Sequence, residues 1–348
     1  MSYFMSMLYN PCSSYLRAFM ANIKDVAKLA GVSTATVSRA MTHPEKVSEK
    51  MRKKVELAVA ESGFSPNSVA RNLRRSESKT VIVIIPDIAN QFFADIVRGI
   101  QFVAKKNDYK ILLGDSVHAI QQAEAYIDLV KTKQADGIIS LTSELPAEVK
   151  NGIKIPMVMA CEYFENFPIP TVRVDNYTAA KNAVDYLLDI GHKRIACITG
   201  PMDNPICVAR KKGYRQSLDS ACIEFDEMAI DSGDFSFQSG YSAFHRLYHQ
   251  YKMTALFCFN DMMALGAMRA AFELGLNVPE KLSIVGFDDL PFAEYTTPQL
   301  TTIRQPQQQI GETAMKTMLS ILGTGKAPQD TILPTQLLVR SSTAAFND

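Results

Sequence analysis

The sequence predicts a small all-α helix-turn-helix head followed by an α/β body of two lobes, each a doubly wound parallel sheet. Three observations carry that reading. Between Asn22 and Phe64, apolar residues recur at helical spacing and are punctuated by Gly and Ser. After Thr80 the pattern changes to short, nearly continuous apolar runs separated by amphipathic stretches, as expected for parallel strands covered on both faces. Some ~260 residues of such units exceed one comfortable core, so the body divides into two lobes.

Composition bounds the function classes. The 348 residues are 47% hydrophobic and 21% charged, an ordinary globular balance. No apolar run approaches the ~18 residues that mark a spanning helix. The cysteines Cys12, Cys161, Cys197, Cys207, Cys222 and Cys258 are scattered without a C-x-x-C pair. That argues against a disulfide scaffold and a zinc site, and fits a reducing, cytoplasmic compartment. The net charge of +1 hides an asymmetry: residues 20–80 hold twelve Lys/Arg against six Asp/Glu, whereas residues 81–348 are net acidic. A basic head on an acidic body suits contact with a polyanion.

The expected boundaries are an extension over 1–19, the head over 20–65, a hinge and linker over 66–79, and the body over 80–348. The extension is set aside from the fold, with Met20 a candidate initiator. Its Arg17 comes late, and Asn10-Pro11 and Ser13-Ser14 interrupt any apolar run, so it does not read as a secretory signal.

In the head, Asn22 is a good N-cap and Asp25 suits a first turn. Ile23, Val26, Ala27 and Ala30 share a face, and Gly31 can end the helix in a left-handed conformation. Ser33 then caps a second helix, Thr34 to Met41. A third begins near Ser48, with Met51, Val55, Ala58 and Val59 inward and Lys50, Arg52, Lys53 and Lys54 outward. On the second helix Val37 must face the core. Ser33, Thr34, Ala35, Thr36, Ser38 and Arg39 are short, polar or basic, which suits phosphate contacts at a helix N-terminus and base edges beyond them. An ordinary helical hairpin is the alternative. Downstream, Ser65-Pro66 breaks the chain, Asn67 can cap, and a single turn of Val69, Ala70 and Leu73 precedes Arg74-Arg75. Leu73 has the character of an apolar wedge for a minor-groove step; a plain linker is the competing reading.

Candidate strands in the body are residues 81–86, 110–115, 137–141, 156–160, 171–174, 194–200, 255–259 and 283–287. Candidate helices include Phe92–Lys106, Gln121–Lys133, Asn176–Asp189 and Asp261–Leu274. Ligands of open α/β sheets sit beyond the carboxyl ends of the strands, so residues there are the candidates. Phe92-Phe93 can stack on a ring or belong to the core. Glu162 can accept from hydroxyls or lie on a surface loop. Arg210 can fork onto a ligand or face solvent. Asn260-Asp261 and Asp288-Asp289 place four polar groups after two buried strands, some of them as helix caps.

The stretches DVAKLAGVSTATVSRAM and KVSEKMRKKVELAVAESGFSPNSVARNL resemble the head of the lactose/galactose-repressor family. FNDMMALGAMRA, SIVGFDD and PQLTTIRQP resemble its effector-core landmarks. The likeness runs from Met20 to the C-terminus. It implies a type I periplasmic-binding-protein-like core and a homodimeric transcriptional repressor on double-stranded operator DNA. By matching, Thr34, Ala35 and Arg39 read bases, Ser33, Thr36 and Ser38 meet the backbone, Asn67 belongs to the DNA-binding set, and Leu73 is the hinge leucine. The implied effector cleft contains Phe92, Phe93, Glu162, Arg210, Phe235, Asn260, Asp288 and Gln305. Asn204 and Pro205 fall in the variable ligand loop.

RRSESKTVIVIIPDI, LLGDSVHAIQQ, TKQADGI and GDFSFQSG are similar to the nucleoside-responsive members. That resemblance implies a nucleoside such as cytidine as effector, with release of DNA on binding; a purine base or a sugar is the alternative ligand. A solute-binding receptor would need an export signal. An enzyme, a cofactor or a metal is not expected: there is no G-x-G-x-x-G after a strand, P-loop, nucleophile elbow or H-E-x-x-H. His245 and His249, four apart on a polar stretch, read as surface rather than as ligands.

Overall fold

The computed structural model describes residues 22–64, 77–115, 120–144, 147–163, 167–326 and 328–346. The extension and the hinge turn with Asn67 and Leu73 lie outside them. Contacts divide the chain into a unit ending at Ser76 and one beginning at Glu77.

In the head, α1 (Ile23–Ala30) opens with a reciprocal cap. The Asn22 side chain accepts from the amides of Lys24 and Asp25 at 2.8 and 3.2 Å, and Asp25 accepts from the Asn22 amide at 2.9 Å. Gly31 ends the helix at φ 63°, a conformation that a Cβ would disfavour. Ser33 caps α2 (Thr34–Thr42) by accepting from the Thr36 amide at 3.1 Å. This helix runs past the expected Met41, and the Thr42 hydroxyl donates back to the Ser38 carbonyl. The third helix, α3 (Glu49–Ser62), follows Ser48 as expected. Val26, Ala27, Ala30, Val37, Ala40, Val55 and Ala58 form the core. Met51 and Val59, expected inward, are only half-buried.

The first lobe of the body contains β1 (Thr80–Ile85), α4 (Phe92–Lys106), β2 (Lys110–Asp115), α5 (Ile120–Lys131), β3 (Gly137–Ser140), α6 (Ala147–Lys150), β4 (Met157–Ala160) and β5 (Thr171–Val174). The second contains α7 (Asn176–Asp189), β6 (Ile195–Thr199), α8 (Pro205–Ser220), β7 (Ile230–Ser232), α9 (Phe237–Gln250), β8 (Ala255–Cys258), α10 (Asp261–Glu273), β9 (Ser283–Asp288), α11 (Phe292–Tyr295) and β10 (Thr301–Arg304). The chain then crosses back: α12 (Gln307–Thr324) and β11 (Thr331–Leu333) join the first lobe, and β12 (Gln336–Leu338) closes the second.

The sheet orders are β11-β5-β4-β3-β1-β2 and β12-β10-β9-β8-β6-β7. All described pairings are parallel except β10 with β12. The eight expected strands form with bounds within one residue. β7, β10, β11 and β12 were not read as strands. They lie at or next to a sheet edge, and none carries the continuous apolar run that makes the central strands legible. Each lobe has its own core, and the central strands β6, β8 and β9 are buried throughout. The connections between lobes follow β5 and β10 and run between β11 and β12. They bring the carboxyl ends of both sheets to one cleft.

Candidate functional site

On α2, Val37 is buried, whereas Thr34, Ala35 and Arg39 are exposed and Thr36 and Ser38 half-buried. The Ser33 hydroxyl is within 2.9 Å of that of Thr36, so these two groups organise the start of the helix. The Arg39 guanidinium makes no ion pair or hydrogen bond among the described residues, while its carbonyl accepts from the His43 amide. On α3, by contrast, Arg52 faces Glu56 at 3.5 Å and Lys53 faces Glu49 at 3.0 Å. An uncommitted guanidinium beside short side chains is an arrangement that can enter a groove and fork onto a base.

In the body, the cleft between lobes holds a cavity of about 530 Å³, within the range of small-ligand sites. All eight sequence-predicted cleft residues line it. Phe92 and Phe93 sit at the start of α4 with ring centroids 5.3 Å apart, edge to face. They are half-buried, packing on the first lobe's core while also bordering the cavity.

Glu162 follows β4 and Cys161, which is held at φ 71°. It is not on a surface loop; it is 7% exposed. Its Oε1 accepts from Asn204 Nδ2 at 3.0 Å, a bond from one lobe to the other. Its Oε2 has no hydrogen-bond partner among the described residues. Burial pushes this carboxyl up to about 7, against the opposing pull of Asn204 and Arg210. Asn204 can make the bridge because its Oδ1 is already fixed by capping α8, accepting from the Ile206 amide at 2.9 Å.

Arg210 enters the cavity from α8 and is 3% exposed. Its Nε donates to Asn176 Oδ1 at 2.8 Å and its Nη1 to the Phe259 carbonyl, while the guanidinium lies 3.6 Å over the Phe287 ring. Burial lowers its pKa, and the Asp288 carboxylate opposes that shift. Asp288 accepts from Gln305 Nε2 at 2.8 Å, and its own carbonyl accepts from Gln307 Nε2 at 2.6 Å. Burial brings Asp288 to about 7 although Arg210 and Gln305 pull it down.

The four polar groups after β8 and β9 divide by role. Asn260 caps α10 through the Met263 amide and donates to the Phe235 carbonyl at 2.9 Å. Asp261 is fully buried and accepts from the Leu290 amide and the Thr302 hydroxyl, at 2.7 and 2.5 Å. Asp289 pairs with Arg304 and Arg340. Asp288 alone of the two aspartates after β9 lines the cavity. Phe235 borders it at φ 71°, and its ring fills the place of an absent side chain: a Cβ at Gly200 would lie 2.4 Å from that ring. Phe235, Cys161, Asp288 and Asp289 all have positive φ, a concentration of backbone strain that marks functional clefts.

Sequence reasoning missed two partners. Asn176 reads as the first residue of a helix, and nothing local tells that its amide holds a guanidinium 34 positions away. Asn204 carries the Asn-Pro signature of a helix start, which accounts for its cap but not for its bond to Glu162.

Two family models match the chain. Bacterial regulatory proteins of the lacI family match residues 22–67, and a periplasmic binding protein-like domain matches residues 184–343. The HTH-type transcriptional repressor CytR of Escherichia coli (strain K12) is 45% identical over 331 residues, covering 94% of this chain and 97% of the relative. The chain belongs to the lacI family of bacterial regulatory proteins.

The HTH-type transcriptional repressor PurR of Vibrio atlanticus (strain LGP32) is 34% identical, covering 86% of this chain and 91% of the relative. The lac repressor dimer bound to operator and the anti-inducer ONPF aligns with a TM-score of 0.85 at 28% identity, over 93% of this chain and 99% of that one. A complex of the transcriptional regulator CelR with cellobiose aligns at 0.72 and 28% identity, over 92% and 99%. As a lacI-family member the protein is a DNA-binding transcriptional repressor, built from a helix-turn-helix head and a two-sheet periplasmic-binding-like core.

Proposed function

We propose that this repressor is a cytoplasmic homodimer whose operator affinity is lowered by a nucleoside, such as cytidine, bound between the lobes of its core. The observation that carries the reading is the convergence of an aromatic pair, a buried guanidinium and two buried carboxyls on one cavity. The rings suit stacking on a base, and the buried polar groups suit its edge and the hydroxyls of a sugar. The relative at 45% identity is itself a repressor. The other ligand named by a similar structure is a sugar, cellobiose, and a purine base or a sugar is the reading that the test below separates.

Thr34, Ala35 and Arg39 are proposed to read bases, with Ser33, Thr36 and Ser38 on the phosphates, and Asn67 and Leu73 to act at the hinge. Two heads then meet two-fold-related half-sites, spaced by the dimer. Support for a second copy comes from exposed apolar groups: Leu112 and Leu113 on the edge strand β2, and Phe292 and Tyr295 on α11, the last 84% exposed. Such groups are a liability unless covered.

A thermal-shift panel of nucleosides, purine bases and sugars tests the ligand class. A ligand at ~100 times its dissociation constant adds ~2.7 kcal/mol to stability, so cytidine is expected to raise the melting temperature clearly. Silence from every nucleoside, with a response to a base or a sugar, removes the nucleoside reading and leaves the repressor.

A further inference from the structure

Two carboxyls and one guanidinium share the buried cleft. The charge of Arg210 is felt more by Asp288 than by Glu162, and Asp288 also receives a hydrogen bond from Gln305. Glu162 is the surplus acid. It is held by a single bond from Asn204 to Oε1, and Oε2 is enclosed with no partner among the described residues. A carboxylate left this way would be a buried charge without compensation, which a protein avoids by keeping the proton. Asn204 and Arg210 offset it only in part, and the remaining neighbours do not help. Cys161 on the same strand end and Cys207 on α8 are thiols that burial raises further. Asp87, Asp203 and Asp234 line the cavity at its less buried positions and carry the same sign as an ionised Glu162.

We infer that Glu162 serves as a neutral carboxylic acid that reads the edge of the bound base, donating from Oε2 to a ring-nitrogen acceptor and accepting at Oε1 from an adjacent amino group. The inference rests on the nucleoside reading above. An acid offers one donor beside one acceptor, and the matching edge is an amino group next to an unprotonated ring nitrogen. Cytosine and adenine present that pair. Uracil and hypoxanthine present a ring N–H next to a carbonyl, so a donor meets a donor. The orphaned oxygen thereby gains the partner it lacks, and Asn204 fixes the other oxygen so that the acid cannot turn.

The proton gives the test a sign. With Glu162 raised to about 7, the acid is neutral in the free protein below that value and ionised above it. Binding cytidine through the O–H therefore takes up a proton at higher pH, and affinity falls as pH rises, approaching tenfold per unit for one linked proton. Uridine, whose N–H can meet a carboxylate, strengthens over the same range. Cytidine and uridine affinities are to be measured by titration calorimetry from pH 6 to 8.5 in the full-length protein and in Glu162→Gln. The expected result is at least about tenfold preference for cytidine at pH 6, narrowing towards pH 8.5. Glu162→Gln, whose oxygen Asn204 holds at the Oε1 position so that its amide NH2 stands where the acid O–H donated, is expected to keep the preference for cytidine while losing the pH dependence that Glu162 carries. Cytidine binding that is flat with pH, or a slope as steep in Glu162→Gln as in the unsubstituted protein, overturns the inference while leaving the nucleoside reading intact; a shallower remaining slope belongs to Asp288, which burial brings to about 7 in the same cavity. Binding of neither nucleoside, in a protein that responds to a sugar, overturns both.

Discussion

Arg39 and Lys53 show how two cations of one small head differ in what holds them. Lys53 is spent on an i,i+4 pair with Glu49 on α3, and exposed pairs of that kind contribute little to stability or recognition. Arg39 stands free on the helix proposed to enter the groove. Arg39→Ala is expected to cost ~1–3 kcal/mol at one base pair and flatten preference there, as read by anisotropy on a set of single-substitution operators. Lys53→Ala is expected to change all sequences alike and by much less. A uniform loss in Arg39→Ala would reduce that residue to a phosphate contact.

The helix layers are joined by close approaches at glycine. α4 and α12 cross where a Cβ at Gly311 would stand 1.9 Å from the Ile96 carbonyl oxygen, and one at Gly99 2.1 Å from that of Gln308. The second lobe repeats the device. A Cβ at Gly266 on α10 would meet the Phe237 carbonyl at 2.1 Å, and one at Gly240 on α9 the Met263 carbonyl at 2.2 Å. In each case the obstacle is backbone, which cannot step aside as a flexible side chain would. Gly311→Ala is therefore expected to destabilise the first lobe by at least ~1–3 kcal/mol, seen as a lower midpoint in chemical denaturation. A midpoint equal to wild type would mean that the helices can separate without loss.

At the scale of the molecule, the lobes are joined by crossing segments and by the Glu162–Asn204 bond across the cleft. A ligand that inserts among these groups changes what the two lobes share, and this is the element a repressor needs for regulation. A coupling of ~1–3 kcal/mol between ligand and operator changes occupancy several-fold. Linkage makes it reciprocal. If cytidine weakens operator binding by some factor, a saturating operator must weaken cytidine binding by that same factor. Anisotropy for the first and calorimetry on the preformed complex for the second are expected to agree. An operator affinity that is unchanged by every ligand that binds would remove regulation through this cleft.

Local chemistry alone determined much of this protein. The caps at Asn22 and Ser33, the turn at Gly31 and the apolar runs that became the eight expected strands are set by neighbours in sequence, so they are legible there. The aromatic pair and strand-end polar residues could also be placed at one cleft, because parallel sheets present their carboxyl ends together. Tertiary structure decided the rest. Short edge strands such as β11 and β12 exist only because a sheet edge is there to receive them. Asp261 and Asp288 look alike after their strands, yet one satisfies a buried amide and hydroxyl while the other lines the cavity. Glu162 became a buried acid with a spare oxygen only when Asn204, 42 positions away, closed over it. Burial and charge balance are properties of the packed cleft, and no window of sequence contains them.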